Sequence, residues 1–182
     1  MLDELLKDMK KFARKNDLPI VDYFGEEKGG FLERLVKEHK PKNILEIGTL
    51  IGYSTILMAR NTKGKITTIE INEKIANIAK ENIEKAGFSN VVKILVGNAI
   101  EILPKINEKF EFVFIDASKE EYIDYLKLIE NKLENRAVIV ADNAKIFAES
   151  MEDYLDYVRN SGKYNSKFYD FGHDGMEVSV KV

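Results

Sequence analysis

The chain has 182 residues, of which 45% are hydrophobic, and these values are typical of one globular domain with an ample core. Lys and Arg number 28 against 31 Asp and Glu, so the net charge of -3 argues against a broad basic surface for nucleic acid. The absence of cysteine excludes disulfides, thiolate metal ligands and a cysteine nucleophile.

The N-terminal part of the chain predicts a cytoplasmic protein with two leading helices. Acids follow Met1 where a signal peptide carries cations, and no segment approaches the roughly 20 apolar residues that cross a bilayer. Apolar residues at helical spacing predict an amphipathic helix over residues 1–16, which we expect to pack over the site or in a homodimer. A second helix is predicted after Gly30 and ends before Pro41. Residues 1–40 therefore form an N-terminal helical part.

Residues 43–182 alternate between predicted strands and helices, which implies a mostly parallel sheet with helices on both faces. The predicted parallel strands cover residues 43–48, 65–70, 91–96, 110–116 and 136–142. The predicted helices cover residues 53–61, 73–86, 99–106, 119–132 and 145–160. Residues 163–171 and 176–182 flank a tight turn and predict an antiparallel hairpin. We therefore predict a single α/β domain over residues 1–182 with a seven-stranded sheet.

Acidic residues close four of the predicted strands, namely Glu46, Glu70, Asp116 and Asp142. In an open α/β sheet, ligands bind beyond the carboxyl ends of the strands. Any one of these acids can be a helix cap. Burial alone does not explain an acid at the end of four strands, so the set indicates a binding site at this edge.

The glycine turn after the first strand favours S-adenosylmethionine (SAM) over a dinucleotide. Gly48 and Gly52 lack the spacing of the dinucleotide motif, whose glycines let the backbone approach a pyrophosphate. Acids around the turn repel phosphate and suit a ligand that carries a sulfonium and an ammonium group. Glu70 ends the second strand, where a carboxylate can accept hydrogen bonds from ribose hydroxyls. A nicotinamide dehydrogenase is therefore the weakest interpretation.

Several motifs resemble those of the class I SAM-dependent O-methyltransferases of the catechol and caffeoyl-CoA type. The sequence LEIGTLIGYS at residues 45–54 resembles the first motif of that family, and TIEIN at residues 68–72 resembles its ribose-binding segment. The similarity runs from about residue 28 to residue 143 and includes three more motifs, at Lys28–Gly30, Asp116–Tyr122 and Asp142–Asn143. The resemblance implies the Rossmann-like SAM methyltransferase fold.

The resemblance also implies a role for each matching residue in holding the cofactor. Glu46, Gly48 and Ser54 would line the methionine end of SAM, and Glu70 would hold the ribose. Gly52 and Asp116 would also belong to the cofactor site. Gly97, Asn98 and Ala99 would lie near the adenine. Many relatives carry an acid where this chain has Asn98, but an amide can still hydrogen-bond the adenine edge.

The resemblance further implies a metal site and a catalytic lysine. Asp116, Asp142 and Asn143 end adjacent predicted strands, and two carboxylates with an amide suit Mg²⁺. In that family the metal binds two neighbouring substrate oxygens, and Lys119 matches its general base or anion stabiliser. The alternative for Lys119 is a solvated residue in a first helical turn, and the alternative for Asp142 and Asn143 is a helix cap.

The chain departs from the family pattern in two places. Ser118 replaces an acid of most bacterial relatives, and the predicted helix at residues 145–160 leaves almost no loop after Asn143. A trimmed loop indicates an open site, a large substrate or help from a second subunit. His173 lies in the terminal turn, where solvent exposure is the ordinary state of a loop tip.

We therefore predict a SAM-dependent O-methyltransferase that acts on a hydroxyl of a small catechol-like or phenolic acceptor, with a divalent metal. One alternative is a tRNA hydroxyuridine-type methyltransferase, with an RNA contact built from lysines such as Lys7, Lys10, Lys11 and Lys15. Another is a non-catalytic SAM-binding protein.

Overall fold

The computed structural model describes all 182 residues as helices on both faces of one sheet. The strands are β1 Asn43–Ile47, β2 Lys65–Glu70, β3 Val92–Val96, β4 Phe110–Ile115, β5 Leu133–Ala141, β6 Tyr164–Asp170 and β7 Gly175–Lys181. The helices are α1 Leu2–Lys15, α2 Glu27–His39, α3 Tyr53–Ala59, α4 Glu73–Lys85, α5 Ala99–Ile102, α6 Tyr122–Ile129 and α7 Glu152–Asn160. Short 3₁₀ turns follow α5 at Leu103–Lys105 and flank α6 at Lys119–Glu121 and Glu130–Lys132.

The sheet has seven strands in the order β3-β2-β1-β4-β5-β7-β6. The first five strands pair in parallel, and β7 pairs antiparallel with both β5 and β6. The chain reverses its direction of crossing between β3 and β4, so the carboxyl ends of β1 and β4 meet at a switch point. The predicted fold class is confirmed, including the terminal hairpin.

Residues that alternate along each strand build two hydrophobic clusters, one on each face of the sheet. Phe112 and Phe114 of β4 join the cluster formed with α1 to α4, whereas Val113 and Ile115 join the cluster formed with α5 to α7. Phe110 breaks this alternation and packs with Val113, because the pairing register with β5 shifts between Phe110 and Phe112. Packing on both faces explains why the central strands are nearly continuous apolar runs.

The apolar stripe of α1 packs inside the molecule. Leu6, Met9 and Ala13 are buried in the cluster that also contains α2 and α3. A cleft lies at the carboxyl ends of the parallel strands, and the first residue along the chain that lines it is Pro19. Helix α1 therefore does not pack over the site, which was one of the two positions expected for it. The homodimer stays a prediction. No helix in the structure combines the length and apolar character needed to cross a membrane.

The motif Lys28–Gly30 lies in the first turn of α2, and our prediction that it precedes the helix is wrong. Asp22 starts this helix by accepting a 2.7 Å hydrogen bond from the backbone nitrogen of Gly29. A Cβ at Gly29 would lie 2.2 Å from the Asp22 carboxylate, which explains the glycine. Asp22 also accepts a hydrogen bond from the Tyr53 hydroxyl and so joins α2 to α3.

The prediction of a helix over residues 145–160 is also wrong in its first half. Residues 142–151 run as turns, and α7 begins only at Glu152. The hairpin competes for the backbone here, because Ala144 donates to the Gly175 carbonyl and Ile146 donates to the Asp174 carboxylate. A loop therefore follows the end of β5, where we expected a helix to begin almost at once.

Other predicted boundaries shift by smaller amounts. The helix predicted at 119–132 is α6 with a 3₁₀ turn at each end, and the helix predicted at 99–106 is α5 with one such turn. The strand predicted at 136–142 begins earlier, since β5 extends back to Leu133.

The turn after β1 requires glycine at its first position. Gly48 has a φ of 101°, and a Cβ there would lie 2.0 Å from the carbonyl oxygen of Asp116. The Gly48 nitrogen donates to the Ile69 carbonyl, and the Asp116 nitrogen donates to the Ile47 carbonyl. The turn is thus held between the ends of β2 and β4, which brings three strand ends together.

We predict that Gly48→Ala destabilises the fold far more than Gly87→Ala. Gly87 has a φ of 82° but open space around it, so its substitution costs only backbone strain of about 1–2 kcal/mol. Gly48→Ala adds a backbone overlap, which should cost at least about 2 kcal/mol more. Urea unfolding of both variants measures the difference, and equal losses would contradict the close approach of Asp116.

Candidate active site

A cleft of about 740 Å³ opens at the carboxyl ends of β1 to β5. Its floor consists of the segments that follow these strands, and its walls come from the α1–α2 connection, the loop after β5 and the hairpin turn. Six of the sequence-predicted site residues lie on the strand-end floor and line the cleft together: Gly48, Glu70, Asn98, Asp116, Lys119 and Asp142. Gly97, Ala99 and Asn143 line it as well.

Glu70 fixes the strained turn on one side of the cleft. Its Oε2 accepts from the Leu50 nitrogen at 2.8 Å, and its Oε1 accepts from the Asn72 nitrogen at 3.0 Å. Leu50 has a φ of 49°, which a bulky residue adopts only when its surroundings impose it. Glu70 therefore holds the backbone of the glycine turn and still faces the cleft, where each oxygen can accept a further bond.

Glu46, Gly52 and Ser54 lie behind the cleft and do not line it. Glu46 is fully buried, and its carboxyl group accepts hydrogen bonds from the hydroxyls of Ser54, Thr55 and Thr68. These bonds join the end of β1 to α3 and β2. Glu46 and Ser54 thus support the turn from below, and the contact with the methionine end of SAM that the resemblance implied for them stays a prediction.

The segment after β3 gives the far wall of the same half of the cleft. The Asn98 side-chain oxygen accepts from the Ile100 nitrogen at 2.9 Å and so caps α5. No hydrogen bond within the chain uses the side-chain nitrogen of Asn98, which remains free to donate to a ligand. Ile71, which directly follows β2, also lines the cleft although 70% of its surface is exposed, and the sequence analysis assigned it no role.

Lys119 is held at the centre of the cleft by two polar neighbours. Its Nζ lies 3.0 Å from Asp116 Oδ1 and 2.8 Å from the Tyr122 hydroxyl oxygen. Tyr122 donates in turn to the Asp142 carbonyl at 3.3 Å. Burial raises the pKa of Tyr122 well above its ordinary value, so it stays a neutral hydroxyl. With its side chain only 13% exposed, Lys119 is not the solvated residue of the alternative interpretation.

Asp142 and Asn143 stand opposite, at the end of β5, and a buried lysine holds them. Lys28 Nζ lies 2.7 Å from Asp142 Oδ1 and 2.7 Å from Asp174 Oδ2. Asn143 Nδ2 donates to the same Asp174 oxygen at 2.8 Å. The helix-cap alternative fails here, because residues 142–151 form turns and no helix begins at this pair.

Burial and the neighbouring charge of Asp116 both act on the carboxyl group of Asp142. Burial and then the charge of Asp116 raise the pKa of Asp142 to about 7, against the lowering effect of Lys28. Burial also opposes ionisation of Asp174, but hydrogen bonds from Lys28 and Asn143 lower its pKa below the ordinary value.

Lys28 and Asp174 are functional candidates that the sequence analysis missed. A signal for Lys28 exists in the sequence, because helical spacing places it on the buried stripe with Leu32 and Leu35. A lysine on such a stripe needs a buried acid as partner. The acid itself could not be chosen from the sequence, since Asp174 comes from the far end of the chain.

Aromatic and aliphatic side chains form the open rim above Lys119. Phe24, Ile146 and Phe147 line the cleft with roughly half or more of their surfaces exposed. The rings of Phe24 and His173 lie edge to face at 5.8 Å, so the α1–α2 connection meets the hairpin turn there. His173 thus lines the cleft instead of pointing into solvent alone.

The oxygens left over at the cleft floor form a small donor set. Hydrogen bonds occupy Oδ1 of Asp116 and Oδ1 of Asp142, and no bond within the chain occupies the second carboxylate oxygen of either residue or the Asn143 side-chain oxygen. No group of three or more Asp, Glu, His or Cys side chains in the structure is arranged so that it could hold a metal ion. Any metal here therefore depends on the amide of Asn143 as well as the two carboxylates.

The sheet order and the cleft at its switch point define a Rossmann-like methyltransferase, and comparisons with known proteins agree. The profile of the O-methyltransferase family matches residues 1–164. Catechol O-methyltransferase B of Danio rerio is 34% identical over an alignment of 205 residues, gaps included, which covers 97% of this chain and 77% of the relative. A catechol O-methyltransferase of Niastella koreensis is 43% identical over 121 residues, which cover 63% of this chain and 55% of the relative.

Solved structures extend the similarity to nearly the whole chain. An O-methyltransferase of Bacillus cereus in complex with S-adenosylhomocysteine (SAH) has a TM-score of 0.88 at 28% identity, covering 98% of this chain and 91% of that one. An O-methyltransferase of Streptomyces achromogenes in complex with SAM has a TM-score of 0.86 at 26% identity, covering 98% and 90%. The chain belongs to the O-methyltransferase family, and its relatives and structural neighbours are SAM-dependent enzymes.

We predict that Glu46 makes stability depend on pH in the direction opposite to that of an acid whose pKa is lowered by folding. Burial raises its pKa from 4.5 to about 7, although the hydroxyls of Ser54, Thr55 and Thr68 lower it. Between these values the folded state keeps a proton that the unfolded state releases, so unfolding becomes easier as pH rises. Each pKa unit corresponds to about 1.4 kcal/mol, which sets an upper limit of about 3 kcal/mol.

Glu46→Gln removes this titration. Urea unfolding at several pH values from about 4.5 to 7.5 should show wild type losing stability relative to the variant as pH rises. A constant difference across the range would mean that folding does not raise the pKa of Glu46.

Proposed function

We propose that the protein transfers the methyl group of SAM to a hydroxyl group of a small catechol-like or phenolic acceptor with the help of a divalent metal. One observation carries this proposal: a single cleft unites the Glu70-braced glycine turn with Lys119, Asp116 and Asp142. The turn with Glu70 suits a nucleoside donor, and the cluster of Lys119, Asp116 and Asp142 suits an acidic hydroxyl.

The donor is proposed to lie along the ends of β1 to β3. The Glu70 carboxylate accepts from the ribose hydroxyls, as an acid at the end of the second strand does in nucleoside-binding α/β folds. The free side-chain nitrogen of Asn98 reaches the adenine edge, and the exposed face of Ile71 packs on the adenine ring. Two solved neighbours are complexes with SAH or SAM, which supports SAM as the donor.

The metal is proposed to bind Asp116, Asp142 and Asn143. Their uncommitted oxygens are the ligand type that Mg²⁺ prefers, and a bound divalent ion would supply Lewis-acid activation of the acceptor hydroxyl. The charges of the cluster also favour a cation. When all are ionised, the carboxylates of Asp116, Asp142 and Asp174 and the ammonium groups of Lys28 and Lys119 leave one net negative charge. A divalent cation with one phenolate would bring that balance to neutral.

Lys119 is proposed to stabilise the acceptor oxyanion as an ammonium group, or, where it meets the acceptor as a neutral amine, to receive the hydroxyl proton on Nζ. Asp116 and Tyr122 fix its Nζ at 3.0 and 2.8 Å, so the lysine needs no rearrangement to meet a bound hydroxyl. Both neighbours are tied to strand ends that also hold the proposed metal ligands. Proton transfer and acceptor binding would therefore share one rigid floor.

The acceptor is proposed to be a planar aromatic ring that enters between the apolar side chains of the rim. Phe24, Ile146 and Phe147 present exposed apolar surface directly above the polar floor. The relatives from Danio rerio and Niastella koreensis are named for catechol, which supports a vicinal diol. Homodimer formation and a cytoplasmic location remain predictions from the sequence.

We predict that labelled SAM will methylate catechols in the presence of Mg²⁺, with much less transfer to resorcinol. Only neighbouring hydroxyls can bind one metal ion together, and the loss of that activation should cost at least about a hundredfold in rate. A screen over catechols, phenylpropanoids and unmodified tRNA measures the acceptor class. Transfer to tRNA alone would replace the proposed acceptor, and full activity in excess chelator would remove the metal.

Asp142→Asn tests the metal role within the same screen, and Asp153→Asn is the control on the exposed surface of α7. Asp142→Asn should lose the Mg²⁺-stimulated rate while SAH affinity stays within about threefold, because Asp142 lies away from the proposed donor half. Equal rates for the two variants would contradict the assignment.

We predict that Glu70→Gln weakens SAH binding by about 10–100-fold, because each hydrogen bond to a charged group contributes about 1.5–3 kcal/mol. Titration calorimetry measures the affinity, and Glu73→Gln in the first turn of α4 is the matched control. A Glu70→Gln protein that binds SAH as tightly as wild type would show that ribose lies elsewhere.

A further inference from the structure

Asp174 is a buried carboxylate in the turn between β6 and β7, outside every motif identified in the sequence. Its Oδ2 accepts from Lys28 Nζ at 2.7 Å and from Asn143 Nδ2 at 2.8 Å. Its Oδ1 accepts from the Ile146 nitrogen at 3.3 Å. One side chain of the hairpin thus touches α2, the end of β5 and the loop over the cleft.

The chemistry of this contact determines how the Asn143 amide is oriented. An ionised carboxylate only accepts hydrogen bonds, so the side of the amide that faces Asp174 must be its nitrogen. The amide oxygen of Asn143 is then turned away from Asp174, and no group of the chain donates to it. Asn143 lines the cleft, so this oxygen is available there as a ligand.

The backbone around Asn143 is fixed by the same hairpin. Asn143 has a φ of 62°, a left-handed conformation that asparagine adopts more readily than most residues with a side chain. The next residue, Ala144, donates from its backbone nitrogen to the Gly175 carbonyl at 2.9 Å. Both the side chain and the backbone of Asn143 therefore depend on residues 174–175.

We propose that Asp174 is a positioning residue that orients the Asn143 amide and, through Lys28, the Asp142 carboxylate for a divalent cation. The inference rests on the proposed metal site and assigns part of that site to the terminal hairpin. Asp174 itself does not touch the cation. Its role is to accept from the Asn143 side-chain nitrogen, so that the amide oxygen of Asn143 always faces away from Asp174.

An amide at position 174 would lose this selectivity while keeping nearly the same shape. Asparagine can present either its oxygen or its nitrogen, so Asn143 could turn in either direction without losing a hydrogen bond. Groups that orient metal ligands typically contribute about 10–100-fold to metal affinity. We therefore expect Asp174→Asn to bind Mn²⁺ about tenfold more weakly than wild type.

The test measures Mn²⁺ binding to SAH-saturated protein by the electron paramagnetic resonance signal of the free ion. Asp170→Asn is the matched control, since Asp170 lies in the same hairpin and pairs with Lys145 at the exposed surface. SAH affinity and the melting temperature of each variant report whether the fold is intact. Asp170→Asn should bind Mn²⁺ as wild type does.

Exchange of the two residues separates orientation from a general loss of structure. Asn143→Asp alone would place two carboxylates against each other and should also lose about tenfold in Mn²⁺ affinity. The double variant Asn143→Asp, Asp174→Asn restores an amide–carboxylate pair in the opposite sense and should recover to within about threefold of wild type. It also serves as the test if a single variant does not fold.

The outcomes distinguish this inference from the proposed function. If wild type binds no Mn²⁺, the metal assignment is wrong and the inference falls with it. If wild type binds Mn²⁺ and Asp174→Asn binds it equally well, only the positioning role is wrong. Losses that add in the double variant would also overturn the role, because independent structural damage adds whereas a shared pair does not.

Discussion

The buried ammonium group of Lys28 is the interaction on which the cleft depends. It joins α2 to the end of β5 and to the hairpin turn, through Asp142 and Asp174 at 2.7 Å each. Such a cluster is weak as a source of stability, because desolvation offsets most of its attraction. Removal of one partner nevertheless costs about 3–5 kcal/mol, since the remaining charge stays buried. The cluster therefore specifies geometry more than it adds stability, and the geometry it specifies is that of the site.

The four acids that close β1, β2, β4 and β5 show how burial divides one sequence pattern into different roles. Glu46 is satisfied by three hydroxyls and becomes part of the scaffold, whereas Glu70 is held by backbone nitrogens and keeps its outer face open. Asp116 and Asp142 each pair with a lysine through one oxygen and keep the other free. Only acids that retain an unoccupied acceptor can bind a ligand, so the manner of hydrogen bonding decides which acids are functional.

The sequence was sufficient for the parts of the fold that local patterns control. Alternating strands and helices, acids at strand ends and the turn at Gly48 all depend on short segments, and these predictions agree with the sheet and the cleft. The prediction over residues 145–160 failed because the hairpin takes the backbone nitrogens of Ala144 and Ile146. Helical periodicity cannot reveal that competition, since the competing groups lie about 30 residues further along the chain.

The same limit explains why the site was incomplete in the sequence analysis. Each motif of the resemblance lies before residue 144, yet the side chains that orient Asp142 and Asn143 include one from the final turn. The hairpin pairs β7 with β5, so it brings Asp174 to the carboxyl end of β5, which Asp142 and Asn143 directly follow. The terminal hairpin is therefore more than an edge of the sheet. Because β7 runs antiparallel beside β5, the turn that precedes β7 lies at the same end of the sheet as the site. Here the return also carries His173 to the rim beside Phe24, so one turn contributes to both the polar floor and the apolar mouth.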